Sequence, residues 1–275
     1  MQTIFHGIYR GAAVRLGVAL LAAGLGCHAV ADEAQPTADG TSLVLGAGAA
    51  SSPRYSGSNQ NAVAPVLLFD YSTAGGFFAS SMRGFGYGAQ VGGFSYSLAL
   101  GFRGARKEEN QIASFGNTGS DRLKGMGEIK GDVSAVLGVA YTPLPGIDLG
   151  LSTDVPLTQK DNGINLHATM SVQLLGRDAD RVSLGLTAGF ANGQYAQTYY
   201  GVNREQAANS RFRAFQAGAG LYEVNAMLTW EHKVDRRWGI TSMLGADHLL
   251  NDAGRSPLTG RKTSPTAAVY ASYNY

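Results

Sequence analysis

"INLHATMSVQL" (164–174) alternates without a break. Ile164, Leu166, Ala168, Met170, Val172 and Leu174 share one parity; Asn165, His167, Thr169, Ser171 and Gln173 share the other. Successive side chains of a strand point to opposite faces, so the segment has one apolar and one polar face. Helical spacing does not fit. The same alternation returns along the chain. In "FSYSLALGFR" (94–103), Phe94, Tyr96, Leu98, Leu100 and Phe102 oppose Ser95, Ser97, Ala99, Gly101 and Arg103. In "IDLGLSTDV" (147–155), Ile147, Leu149, Leu151 and Val155 oppose Asp148, Gly150, Ser152 and Asp154. "RVSLGLTAGF" (181–190) repeats the pattern, and "LYEVNAMLTWE" (221–231) puts Tyr222, Val224, Ala226, Leu228 and Trp230 on its apolar face. "AAVYASYNY" (267–275) closes the chain with Val269, Ala271, Tyr273 and Tyr275 on one parity.

The connectors sort by length. "TAGG" (73–76), "VGG" (91–93), "PLPG" (143–146), "GRDAD" (176–180) and "VDRR" (234–237) are tight. Between them lie the longer stretches 51–61, 104–126, 195–216 and 251–264; Arg83-Gly84 and "QKDNG" (159–163) are short exceptions. Short turns on one rim and long loops on the other are the asymmetry of an outer-membrane barrel. The expected fold is an all-β, antiparallel transmembrane barrel of about twelve strands: 41–50, 62–72, 76–82, 85–91, 94–104, 127–142, 147–157, 164–175, 181–194, 217–233, 238–250 and 265–275. Reading 76–91 as one strand breaks the parity, and ten strands is the alternative.

Composition agrees. Charged residues make up 15% of the chain and glycine 38 of 275 residues, against about 25% and about 7% in soluble domains. Mean hydropathy is only −0.07, as expected when apolar and polar residues alternate and average out. Residues 1–31 read as a secretory signal: Arg10 and Arg15, an apolar run 16–25, then Ala29-Val30-Ala31 before Asp32. The competing reading acylates Cys27, but Gly24 stands where a lipoprotein signal carries a leucine-like residue. Cleavage between Ala31 and Asp32 leaves one barrel domain, 32–275, with equal numbers of acidic and basic residues and no cysteine. A neutral chain of this kind gives no footing for nucleic acid.

Several loops carry a family resemblance. "SPRYSGSNQNAVAPVLLFDY" (52–71), "FFASSMRGFGYG" (77–88), "RLKGMGEIKGD" (122–132), "YAQTYYGVNREQAANSRFRAFQAGAGLYEV" (195–224) and "LLNDAGRSPLT" (249–259) resemble the MipA/OmpV family of outer-membrane proteins. The resemblance implies a non-enzymatic barrel that scaffolds peptidoglycan-remodelling enzymes, a lytic transglycosylase and a penicillin-binding protein, or acts at the cell surface. Short periplasmic turns and a short tail, 32–40, offer little docking area, in tension with a scaffold. A narrow channel for small solutes is the alternative, and a lumen hydrolase the third reading.

The hydrolase would draw on His167, Ser171, Asp148 and Asp154, which share the lumen parity. But lumens are polar by default, and no G-x-S-x-G, H-E-x-x-H or phosphate loop is present. No cofactor, metal or catalytic site is expected. The mixed charges of 104–126 read as a solvated loop able to meet lipopolysaccharide phosphates. In 195–216, Tyr195, Tyr199, Tyr200, Arg204, Phe212 and Phe215 mark a loop that folds over the mouth as a lid or meets a partner, with Tyr199 and Tyr200 inward. Val269, Ala271, Tyr273 and Tyr275 resemble the closing signal read by barrel-assembly machinery, with the tyrosines in the interfacial girdle.

Overall fold

The alternating segment 164–174 lies almost wholly within a twelve-residue strand, Asn165–Gly176, whose two edges are both paired. The computed structural model describes residues 40–111 and 118–275. The expected signal segment, with Cys27, Ala31 and Asp32, lies outside the described residues. In chain order the strands are β1 (Ser42–Pro53), β2 (Asn61–Ser72), β3 (Phe77–Ser80), β4 (Gly84–Val91), β5 (Phe94–Arg103), β6 (Arg106–Lys107) and β7 (Thr118–Gly119). They continue as β8 (Asp132–Leu144), β9 (Ile147–Pro156), β10 (Asn165–Gly176), β11 (Asp180–Ala191), β12 (Gly220–Lys233), β13 (Trp238–Leu249) and β14 (Thr263–Asn274). β6 and β7 form a small parallel pair in the connection after β5. The other twelve close into one antiparallel barrel, sealed where β1 pairs with β14 from Val44↔Asn274 to Ser51↔Ala267. Closure removes the sheet edges that lipid cannot satisfy, except beside the short hairpin β3–β4, where β2 pairs with β3 only across Asp70–Ser72.

Residues 76–91 form two strands, so the count is twelve rather than ten. Turns of two to four residues lie on one rim, and the connections 54–60, 81–83, 104–131, 157–164, 192–219 and 250–262 on the other. One expected boundary is corrected by more than three residues: the strand expected from 127 begins at Asp132. Gly127 takes a left-handed φ of 77°, and Ile129 bridges to Arg106, so 127–131 belongs to the connection. The strand expected to reach 194 ends at Ala191, because Asn192 caps a helix. The one expected from 217 begins at Gly220, whose φ is 140°.

The parity holds in space. On β10, Leu166 and Met170 are exposed, while His167 is 2% exposed. On β5, Phe94, Tyr96, Leu98, Leu100 and Phe102 all face outward, and Arg103 is 1% exposed. Of three bulges among the described residues, the one between Tyr141 and Leu144 lies beside a tight turn, and the other two alter the parity. One between Gln173 and Leu175 leaves both Leu174 and Leu175 outside. The other lies where Gly189 pairs with Glu223 but Phe190 pairs with Leu221; Tyr222 is the extra residue. The lipid-facing position expected for Tyr222 is therefore corrected: an extra residue shifts the alternation and turns its ring into the lumen, 5% exposed. Gly48 allows the closing strands to touch. A Cβ there would lie 2.0 Å from the Val269 carbonyl oxygen and 2.5 Å from Tyr270 Cα.

Spin labels along β10 report this sidedness. A lipid-soluble relaxation agent should reach labels at 166 and 170 and spare those at 167 and 169. Equal access at 166 and 167 would contradict it.

Candidate functional site: the closed outer mouth

The outer connections fold together. Asn192 accepts a hydrogen bond from the Tyr195 amide at 2.8 Å, which starts helix α1 (Gly193–Tyr200). Helix α2 (Arg204–Asn209) begins with a reciprocal cap between Asn203 and Gln206. Helix α3 (Asn251–Arg255) lies in the connection after β13. Alternation does not reveal these turns, but the Asn-x-x-Gln cap at 203–206 was a visible signal.

Tyr195, Ala196 and Tyr200 bury against Ala191, Ala217, Tyr222, Leu249 and Ala253. The ring centroids of Tyr195 and Tyr200 lie 5.4 and 5.8 Å from that of Tyr222, and Tyr199 sits 4.4 Å from Tyr195. The Tyr222 hydroxyl meets His167 Nε2 at 2.9 Å inside the lumen. Gly189 makes room for this ring, since a Cβ there would stand 2.9 Å from it. A second apolar cluster joins four connections: Tyr55, Leu123, Met126, Val202, Phe212 and Leu258, with half-buried Phe215 against both clusters.

Polar contacts lock the layer. Ser256 Oγ donates to the Tyr200 carbonyl at 2.6 Å, Gln206 to the Met126 carbonyl at 2.7 Å, and buried Arg106 to the Tyr199 carbonyl at 2.9 Å. Tyr200 and Ser56 share a hydrogen bond of 2.8 Å. Arg103 bonds Asp154 Oδ1 at 2.7 Å and donates to the carbonyls of Asn162 and Gly163, pinning the connection 157–164. Burial pushes the hydroxyls of Tyr55, Tyr195, Tyr199 and Tyr200 above their ordinary range, so they remain protonated at physiological pH.

The marked residues of 195–216 thus divide. Tyr195, Tyr200 and Phe212 are buried, Tyr199 and Phe215 half-buried, and Arg204 exposed. Tyr222, Arg103 and Arg106 complete the layer, and their polarity pattern alone does not single them out. Of the hydrolase residues only Ser171 and Asp148 come together, as cross-strand partners on β10 and β9. Asp154 is held by Arg103, Asp148 accepts from Thr142, and His167 meets Tyr222. Ser171 stands four residues along the strand from His167, about 13 Å away. Among the described residues, no group of three His, Cys, Asp or Glu is arranged to hold a metal ion.

On the closing strand Val269 is exposed at mid-wall; at the opposite rim Tyr275 is exposed, and Tyr273 packs between Trp238 and Tyr275 at 5.0 and 4.7 Å. Ala271 is exposed beside them, and Arg237 Nη1 donates to the Tyr273 hydroxyl at 2.8 Å. A cleft of about 290 Å³ opens on the same rim, lined by Gln173, Gly176, Arg177–Arg181, Glu231 and Lys233.

No curated protein matches the chain. Among solved structures it is similar to the KdgM porin (9% identity, 85% of this chain and 99% of that one, TM-score 0.44). It is also similar to the NanC porin (9%, 84% and 98%, 0.44) and to OmpT, an outer membrane protein of Vibrio cholerae (10%, 86% and 96%, 0.37). The family model described as "MltA-interacting protein MipA" matches residues 45–275. A closed outer-membrane barrel matched over nearly all of its described length belongs to the MipA family.

Proposed function

We propose that the barrel is a membrane-anchored docking platform for a murein lytic transglycosylase, with a penicillin-binding protein as the further partner of the assembly. The observation that carries this reading is the folded layer over the outer mouth, which leaves the short-turn, periplasmic rim as the accessible face. The family description, MltA-interacting protein, points the same way. The cleft beside the turn 177–179 supplies both charges, the exposed Arg177 and Lys233 with Asp178. Such a mixture suits a polar protein partner.

A photo-crosslinking residue at Arg177 or Lys233 tests the site in intact envelopes. The expected adduct contains a lytic transglycosylase. Recovery of the transglycosylase with none of its adducts on this rim would contradict the reading. The narrow-channel reading draws on the inner faces of β8–β10, where Ala140, Gly150, Ser152, Thr169 and Ser171 are only half-buried. On the outside, the five longer connections carry thirteen Lys or Arg against seven Asp or Glu, which supports contact with lipopolysaccharide phosphates. The reading includes export, cleavage after Ala31 and delivery by the barrel-assembly machinery. Mass spectrometry should find Asp32 as the first residue; an acylated Cys27 would refute that step.

A further inference from the structure

We infer that the barrel wall contains a lateral window, between β2 and β5, that admits an acyl chain of a membrane lipid. The hairpin β3–β4 is too short to fill the wall. β3 pairs with β2 only across Asp70–Ser72. Ser81 adds one more rung: its amide donates to the Phe69 carbonyl at 2.8 Å, and its Oγ accepts from the Phe69 amide at 3.1 Å. On the other side, β4 pairs with β5 no further than Phe85↔Leu100. Beyond the hairpin tip, Asn61–Leu68 of β2 is paired with β1 on one edge and, among the described residues, with no strand on the other.

Alternate residues of a strand turn their N–H and C=O to the same side. Phe69 turns its own toward Ser81, so Val63, Pro65 and Leu67 turn theirs toward the opening. Pro65 has no N–H to leave unpaired, and a proline on an edge disfavours an added strand. Three strand spacings separate β2 from β5, about 14 Å in all. The floor is the turn 81–83. The roof is the contact between the connections 54–60 and 104–131: Arg54 Nη1 donates to the Gly119 carbonyl at 3.3 Å, and Ser120 Oγ donates to Gln60 Oε1 at 3.2 Å.

The surroundings select the occupant. Val63 and Leu67 on β2, Phe85 on β4, and Leu100 and Phe102 on β5 are exposed around the frame, so the window lies within the apolar band. Just inside it Ala62, Ala64, Val66, Leu68 and Met82 make an apolar patch, bounded at the floor by the Arg83–Asp70 ion pair. Val66 and Met82 pack on the buried cluster of Val44, Ala50, Leu68, Met227, Met243, Ala268 and Tyr270. Roofed from the outer face and opening onto hydrocarbon, the window is entered from the bilayer, and what stands there is an acyl chain.

Tryptophan quenching by acyl-brominated phospholipids tests this in the full chain, with Trp230 and Trp238 replaced by phenylalanine. Single tryptophans are placed at Met82 and Leu68 behind the window, at Val63 on the lipid face, and at Ser171 across the lumen. Heat-shifted migration on gels verifies that each barrel is folded. Met82→Trp, at a half-buried site, carries the test if Leu68→Trp does not fold. The expected result is that Met82→Trp shows at least about half the quenching of Val63→Trp, because acyl chains reach only lipid-accessible positions. Ser171→Trp should stay unquenched. Met82→Trp as dark to brominated lipid as Ser171→Trp would overturn the proposal. So would disulfide-linked dimers of Val63→Cys, which would assign the edge to a second copy.

Discussion

Replacing Tyr222 with alanine is expected to lower the unfolding free energy by about 3–5 kcal/mol, the range for deleting a large buried aromatic. Tyr222 is the hub of the closed mouth. Its ring supports Tyr195 and Tyr200, and its hydroxyl meets His167. Removing it leaves α1 without a floor, so 192–219 should become protease-sensitive while the wall, whose ladders are untouched, keeps its heat-shifted migration. Tyr222→Phe removes only the hydrogen bond and should cost about 1 kcal/mol. Urea unfolding from lipid vesicles gives both values. A loss for the alanine variant no larger than that for the phenylalanine variant would show that the ring packing contributes nothing.

Arg103→Ala is expected to have an effect of similar size. The guanidinium is 1% exposed and makes an ion pair with Asp154 while holding two carbonyls of the connection 157–164. Breaking a buried pair from one side costs about 3–5 kcal/mol, since the other charge stays buried without its partner. Arg103→Ala with Asp154→Asn should recover part of the loss. A double variant as unstable as Arg103→Ala would place the arginine's contribution in the carbonyl contacts instead.

The wall was legible because lipid and lumen sort side chains by polarity, and a strand converts that sorting into strict alternation. Leu166 and His167 show it at neighbouring positions. The tight turns were legible for a different reason: Gly76, Gly92, Gly93 and Gly146 all take left-handed φ values that favour glycine. The inward turn of Tyr222 was not legible, because a bulge belongs to the register between two strands and leaves no mark on either alone. Arg103 read as one more polar lumen residue; its importance comes from Asp154, fifty-one positions away. The aromatics of 195–216 announced a loop that buries its rings, while which ring meets which depended on α1 and α3 arriving from different connections.

Planar-bilayer conductance of the purified chain, compared with a variant lacking 198–212, tests the closed mouth most directly. The deletion removes the end of α1, all of α2 and the buried Tyr200 and Phe212, yet no residue of the wall. The full chain should be nearly silent. The deletion variant should keep its heat-shifted migration and conduct several-fold more, in the manner of a narrow pore. Equal, open-pore conductance from both would contradict a mouth sealed by this connection.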